Sequence, residues 1–205
     1  MLRANPRALR LVGADIMCSL VYGMQTVLLI LVARRAGLGL HGYAYLFASL
    51  GAGSLIGTAL AGRVLSSRRP HAMLRAALAA VGVPMLLLGV VYWPAVAVVL
   101  VALTGAGAIL VEIMTETALQ RTLPPDMFGR AYGLALPASL AGIVAGSLIA
   151  PVLASVLGTT GALAACGAAA VGYGVLLRAP GREPDQVPAA AETLTGESLL
   201  AGVSS

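Results

Sequence analysis

The sequence predicts an all-α, polytopic membrane protein with six transmembrane helices. Of its 205 residues, 59% are hydrophobic and only 10% are charged, a balance well outside that of soluble domains. The apolar residues also fall into runs that reach or approach the roughly 20 residues a helix needs to cross a ~30 Å hydrocarbon core. We expect the spans at about 11–33, 42–62, 72–92, 95–118, 131–150 and 162–177.

The distribution of basic residues predicts the orientation of these spans. All 13 basic residues are arginines, and a cytoplasmic N-terminus would leave only Arg34 and Arg35 outside. This is the positive-inside pattern, and it predicts a multi-pass protein of the inner or plasma membrane with both termini in the cytoplasm. The net charge of +5 is explained by this asymmetry, so we expect a lipid bilayer and no nucleic acid as partner.

The composition changes near the C-terminus. From Pro180 onward Gly, Pro, Glu, Asp and Ser predominate, and such a stretch is too polar and too broken to pack. The sequence therefore predicts a six-helix bundle over 1–178 and a disordered cytoplasmic tail over 179–205.

Glu112 and Glu116 are the most informative polar residues. They are four positions apart and share one face of the fourth span, directly after an uncharged run from Pro94 to Val111. A carboxyl group inside a membrane is costly unless it faces protein or water, which makes it a functional candidate. We expect Glu112, the deeper of the two, to be a protonatable coupling group. The alternative is an ion pair with Arg121 or Arg130 that only locks the fold or a closed state.

Further polar residues lie on the first and fourth spans. Tyr22, Gln25 and Thr104 are near mid-membrane and are expected on a substrate pathway, although an interhelical hydrogen bond is an equal alternative for Tyr22 and Gln25. Asp15 shares the face of Tyr22 and is a further candidate for the proton pathway. Its alternative is an interfacial residue that caps the helix or pairs with Arg10.

Two ladders of small residues predict close helix packing. They consist of Gly53, Gly57 and Ala61 in the second span and of Ala138, Gly142, Gly146 and Ala150 in the fifth. Acids on the first and fourth spans and ladders on the second and fifth form a faint repeat. Many transporters are built from two such inverted three-helix repeats.

The sequence gives no sign of a metal site, a cofactor or an enzyme. Cys18 and Cys166 lack CxxC spacing and are expected to be apolar fillers, while His41 and His71 fall on opposite sides of the membrane. The chain has no GxSxG, HExxH or phosphate-loop motif, so we predict that it is not an enzyme.

Three segments carry a family resemblance: RANPRALRLVGADI, GYAYLFASLGAGSLIGTALAGRVLSSRR and, most specifically, ETALQRTLPPDMFGRAYGL. They resemble the second, C-terminal half of a major facilitator superfamily transporter of the drug-exporter-like branch, over about Arg3 to Arg178. Ala61 stands where that family's loop signature has an acid. The resemblance implies gating loops that contain Arg63, Arg68, Arg69, Arg121 and Arg130.

The resemblance also implies the function. We expect proton-coupled efflux of small hydrophobic compounds by alternating access, which requires a second six-helix bundle. A homodimer or a partner half would supply that bundle. The alternative is a non-transporting membrane scaffold or a truncated remnant of a transporter.

Overall fold

The computed structural model describes residues 6–39, 41–66, 70–122 and 125–177, which are helical with short turns and contain no strand. The helices are α1 (Pro6–Arg35), α2 (Gly42–Leu65), α3 (Pro70–Leu88), α4 (Pro94–Thr122) and α5 (Pro125–Leu176). Gly158 interrupts α5 with φ 71° and ψ 173°, a conformation that glycine adopts without steric cost. We call the two parts of α5 its first limb, 125–157, and its second limb, 159–176.

Four stretches of these helices are long and apolar enough to cross a membrane. They are Val12–Arg35, Gly42–Leu65, Pro94–Ala118 and Ala135–Leu176, and α3 adds the shorter apolar helix Ala72–Leu88. The architecture therefore agrees with the predicted all-α, polytopic class. It does not show six separate helices, because the last two predicted spans form one segment that is broken only at Gly158.

Several boundaries differ from the sequence prediction. The expected loop at 120–130 is mostly helical, since α4 continues to Thr122 and α5 begins at Pro125, and proline is favourable at the first position of a helix. The helix also passes through Pro151, where the fifth span was expected to end. α3 stops at Leu88 and is followed by a turn at 89–90. The tail predicted over 179–205 lies outside the described residues.

α2 and α4 form a tightly packed pair. A Cβ atom on Gly53 would lie 1.8 Å from the carbonyl oxygen of Ala102, so no larger residue fits at this distance between the helices. The Ser54 hydroxyl lies 3.3 Å from the carbonyl oxygen of Gly105, to which it donates. The ladder predicted in the second span is therefore a helix-packing surface.

α1 and the first limb of α5 form a second pair of the same kind. A Cβ atom on Gly146 would lie 2.1 Å from the carbonyl oxygen of Leu20. The Ser147 hydroxyl donates to the carbonyl oxygen of Gly23 at 3.2 Å. The ladder predicted in the fifth span thus packs against α1, and α3 lies against α4 and α5.

The two ends of the bundle differ in packing. The largest hydrophobic cluster surrounds the end of α1 and the beginning of α2, with Leu28, Leu46, Met85 and Val101 almost fully buried. At this end the Arg35 guanidinium donates to the hydroxyls of Thr160 at 2.9 Å and of Tyr92 at 2.7 Å. We call it the Arg35 end. The opposite end, where α1 begins and α4 finishes, holds the cleft described below.

Arg35 joins three elements of the fold. Its guanidinium carbon lies 4.8 Å from the centre of the Tyr92 ring, in cation–π geometry. Thr160, which accepts a hydrogen bond from Arg35, donates its own proton to the carbonyl oxygen of Gly89 at 3.1 Å. α1, the turn between α3 and α4 and the second limb of α5 are therefore tied together at one point.

The close approach of α2 and α4 makes Gly53 sensitive to substitution. We expect Gly53→Ala to destabilise the bundle by about 1–3 kcal/mol, because the added methyl group forces the two helices apart. The measurement is the thermal unfolding midpoint of the full chain in detergent. Gly51→Ala is the matched control, since a Cβ atom there would meet nothing within 4 Å. Equal midpoints for the two variants would contradict the packing described here.

Candidate functional site

A cleft of about 400 Å³ lies between the two helix pairs, with walls from α1, α2, α4 and the first limb of α5. It is partly open rather than enclosed. Three carboxyl groups line it, together with several hydroxyl groups and the ring of Tyr22. The carboxyl groups belong to Asp15, Glu112 and Glu116. All three acids singled out in the sequence therefore meet at one place.

Asp15 projects from α1 towards α5. Its side chain is half-buried, and the Ser139 hydroxyl donates a hydrogen bond to its Oδ2 atom. This contact joins the two helices of one pair inside the cleft and fixes the direction of the carboxylate. Pairing with Arg10, the alternative for Asp15, falls on a side chain outside the described residues.

Glu112 and Glu116 lie on the face of α4 that lines the cleft. Glu112 is exposed and Glu116 is half-buried, and Glu112 interacts electrostatically with both Glu116 and Asp15. Thr115 lies between the two glutamates in the sequence. Its hydroxyl donates to the backbone of α4 and lies 3.1 Å from the carbonyl oxygen of Glu112. The cleft therefore brings carboxyl groups from α1 and α4 to one space.

Most of the arginines that were predicted to lie in gating loops fall outside the described residues. Arg63 is exposed at the end of α2 and is not among the described residues that line the cleft. Arg68, Arg69 and the side chains of Arg121 and Arg130 lie outside the described residues. The alternative for Glu112, an ion pair with Arg121 or Arg130, therefore also involves side chains outside the described residues.

Gln25 and Thr104 form a hydrogen bond with each other and are not among the described residues that line the cleft. The Gln25 Nε2 atom donates to Thr104 Oγ1 at 2.6 Å, and these side chains are 2% and 0% exposed. The Thr104 hydroxyl donates in turn to the carbonyl oxygen of Val101 at 2.7 Å. This geometry favours the interhelical hydrogen bond for Gln25, whereas Tyr22 lines the cleft.

The Gln25–Thr104 bond connects the two helix pairs, because α1 belongs to one pair and α4 to the other. Tyr22 lies about one turn before Gln25 and Ala108 about one turn after Thr104, and both line the cleft. The hydrogen bond therefore marks the depth at which the cleft ends. A role for Gln25 and Thr104 on a substrate pathway stays a prediction.

Other lining residues were not predicted to belong to a site. Ser139 is 124 positions from Asp15, and its role depends entirely on the tertiary packing of α5 against α1. Ser19, Ser54 and Thr115 also line the cleft, as does Cys18, which is 9% exposed. Hydroxyl groups are frequent in membrane helices and mostly bond their own backbone. The sequence alone therefore does not show which serines and threonines line a cleft.

Comparison with known families gives one result. A family of proteins described as transmembrane secretion effectors, of the major facilitator type, matches residues 9–197. The chain belongs to this family. No curated protein and no solved structure matches it. As a member of this family the chain is a multi-pass membrane protein of transporter type, and the membership points away from an enzyme.

The buried bond between Gln25 and Thr104 predicts an asymmetric response to mutation. Thr104→Val should cost about 1–3 kcal/mol, because it leaves the donor group of a buried Gln25 without its partner. Gln25→Leu should cost less, near the ~0.6 kcal/mol average for such bonds in membranes, because Thr104 keeps its bond to Val101. The measurement is again the unfolding midpoint in detergent. The double variant should be more stable than Thr104→Val alone, and the reverse order would contradict this assignment.

Proposed function

We propose that the chain is one bundle of a facilitator-type transporter that exports small hydrophobic compounds by alternating access. The observation that carries the proposal is the open cleft with three carboxyl groups, formed where two tight pairs of membrane-spanning helices separate. Family membership supports a transporter. It does not favour a non-transporting scaffold or a remnant.

We also propose that six crossing segments form two inverted three-helix repeats, α1 to α3 and α4 to the second limb of α5. The contacts of the two pairs correspond residue by residue and support this arrangement. In each pair a glycine faces the carbonyl oxygen of one residue of the partner helix. The serine that follows this glycine donates to a second carbonyl oxygen, which belongs to a glycine three residues further along the partner helix. Such repeats build the halves of facilitator transporters.

A third contact also fits the proposed repeat. α3 and the second limb of α5 would be equivalent, and they meet at Gly82 and Gly167. A Cβ atom on Gly82 would lie 2.7 Å from the Gly167 carbonyl oxygen, and one on Gly167 would lie 2.6 Å from that of Gly82. A reciprocal contact of this kind is what a twofold relation between the two helices requires. We propose that the chain, with this arrangement, corresponds to the C-terminal half of a drug-exporter-like protein.

The carboxyl groups give the proposed transporter a means of coupling to protons. Glu112 would take up a proton in one access state and release it in the other, with Asp15 and Glu116 adjacent to it in the cleft. With both termini in the cytoplasm of a cell-membrane protein, the cleft lies in the cytoplasmic half and the Arg35 end lies outside. The described state is then open to compounds from the cytoplasm and closed above Gln25.

Export is tested in cells of a host strain that lacks its main drug pumps. The full chain is expressed, and the cells are loaded with Nile red, ethidium or carboxyfluorescein, which are neutral, cationic and anionic. We expect at least one dye to leave energised cells faster than it leaves vector controls. If none does while the protein is present in the membrane fraction, export of such compounds is not its function.

Glu112→Gln tests the coupling role, because the amide keeps the size of the side chain and removes its ionisable proton. We expect export driven by an imposed proton gradient in proteoliposomes to fall to the level of protein-free vesicles. Membrane insertion and the unfolding midpoint should remain unchanged, and Glu112→Asp should retain part of the activity. Export by Glu112→Gln at the unsubstituted rate would exclude Glu112 as the coupling group.

Alternating access also requires a second bundle that closes the open side of the cleft. We expect the purified protein to form a homodimer in nanodiscs, or to co-purify with a second six-helix chain from its native membrane. Native mass spectrometry separates these states and distinguishes protein from bound lipid. A monomer under both conditions would contradict transport by this mechanism.

A further inference from the structure

We propose that Ser139 is a positioning residue whose hydroxyl ties the first limb of α5 to α1 through the ionised Asp15 carboxylate, and that protonation of Asp15 loosens this tie. The beginning of the first limb is then free to move away from α1. This inference deepens the proposed function and rests on it for its physiological meaning, because it gives proton uptake a mechanical effect within one bundle. The tie itself is a property of the fold and can be measured without transport.

The hydrogen bond between Ser139 and Asp15 is the first observation. The Ser139 hydroxyl donates to Asp15 Oδ2 across 124 positions of the chain, and both side chains are half-buried and line the cleft. Hydrogen bonds to an ionised acceptor are roughly twice as strong as those between neutral groups. The strength of this link between two helices therefore depends on the charge of Asp15.

The second observation is where the bond lies along the helix pair. Gly142 still packs against α1, since a Cβ atom there would lie 3.1 Å from the carbonyl oxygen of Ile16. Nearer the beginning of α5, a Cβ atom on Gly133 would meet nothing within 4 Å. Ser139 and Asp15 lie between these two levels. Their bond therefore holds the helices together at the point where close packing ends.

Pro137 gives the first limb a point at which it can bend. It lies inside the helix, two residues before Ser139. Proline has no N–H group, so the carbonyl oxygen of Gly133, four residues earlier, lacks its helical donor. Sharp bends in helices occur mainly at such positions. The part of the first limb that precedes Pro137 can therefore change direction while the rest of the limb stays packed against α1.

Ser139 also has a second acceptor within its own helix. A serine hydroxyl in a helix can donate to the carbonyl oxygen four residues earlier, which for Ser139 belongs to Ala135. Ser147, two turns further along the same limb, makes such a bond to Ile143 at 2.9 Å. The hydroxyl therefore keeps a hydrogen bond when it leaves Asp15, and this lowers the cost of the change.

The other titratable groups near Asp15 have to be separated from it. Glu112 and Cys18 interact electrostatically with Asp15, and no described lining residue of α2, α3 or the first limb of α5 is titratable. Among the described residues the groups are Cys18 and Tyr22 on α1, Glu112 and Glu116 on α4, and Tyr173 of the second limb, which lies against Gly13. The side chains of residues 6–11 and 121–132 lie outside the described residues. The ionisation of Asp15 must therefore be measured directly.

Carbon-13 NMR provides that measurement. The chain has three aspartates, Asp15, Asp126 and Asp185, and the full-length protein is labelled only at the side-chain carboxyl carbon of aspartate. The signal that is absent from the Asp15→Asn variant belongs to Asp15. A pH titration of this signal in phosphatidylcholine nanodiscs gives the pH at which half of Asp15 is protonated.

The position of the first limb is measured by pulsed electron paramagnetic resonance in the same nanodiscs. Spin labels are attached at Gly62→Cys and Gly133→Cys, with Cys18 and Cys166 replaced by alanine, and the NMR titration is repeated in this background. Both label positions are exposed, and a Cβ atom at either would meet nothing within 4 Å. An excess of unlabelled protein removes distances between chains.

We expect a narrow distribution of label distances while Asp15 is ionised and a broader one once it is protonated, because the limb is then no longer tied to α1. The change in width and the change in the Asp15 signal should be centred at the same pH. A width that does not depend on pH, or that changes at a pH where Asp15 does not titrate, would overturn the proposal.

Variants separate the tie from other effects of pH. In Ser139→Ala the Asp15 signal should still titrate, but the distribution should be broad at every pH because the tie is absent. Ser139→Thr keeps a hydroxyl and should keep the pH response. Asp15→Asn removes the charge and should give the broad distribution throughout. An unchanged pH response in Ser139→Ala would contradict the role of this hydroxyl.

Ser19→Ala is the matched control. Ser19 lies on α1 and lines the same cleft, whereas the hydroxyl that donates to Asp15 belongs to Ser139. The control should therefore leave the pH response of the label distances intact. If Ser19→Ala removes the response as Ser139→Ala does, the effect comes from the polarity of the cleft and the proposal is wrong.

Glu112→Gln separates the tie from the coupling role. Protonation of Asp15 should still broaden the distribution in this variant, although proton-driven export is lost. A response that disappears with Glu112 would assign proton sensing to Glu112 and overturn the role of Ser139. A pH response without export of any dye would leave a proton-sensitive tie in a protein that does not export. Export without the response would leave the transporter and remove the tie.

Discussion

The close approach of helix backbones at glycine is the constraint on which this structure depends. Lipid is as apolar as leucine, so burial of apolar side chains gives little force between helices inside a membrane. Contact between backbones must supply that force through packing and hydrogen bonds. Gly53 against Ala102 and Gly146 against Leu20 fix two helix pairs, and the cleft exists because the pairs separate on one side of the Gln25–Thr104 bond.

The same glycine contacts explain which parts of the fold could be predicted. Apolar length predicted a polytopic all-α protein and the ladders predicted helix-packing surfaces, because both are local patterns of spacing. The helix that packs against each ladder could not be predicted in this way, because a ladder of small residues allows close packing of any helix. The course of the last helix was also missed. Proline is tolerated inside membrane helices, so α5 continues through Pro151 and is interrupted at Gly158.

The acidic residues of the candidate site could be predicted from the sequence, but the shape of the cleft could not. Carboxyl groups in a membrane are conspicuous in any sequence, and Asp15, Glu112 and Glu116 all line the cleft. Gln25 and Thr104 are equally conspicuous, but a polar side chain in a membrane helix can serve a neighbouring helix as well as a ligand. Only the distance between their side chains separates these two uses. Ser139 shows the converse, because its position against Asp15 follows from the α1–α5 register alone.

The tie at Arg35 has a consequence for how this bundle can move. Three elements are held together at that end by two hydrogen bonds from one guanidinium group and by a dense apolar cluster. At the opposite end a cleft of about 400 Å³ separates the helix pairs. Low local contact density marks the parts of a protein that fluctuate most. The Arg35 end is therefore expected to move least, and the width of the cleft lined by Asp15, Glu112 and Glu116 is the dimension of the bundle with the most freedom to change.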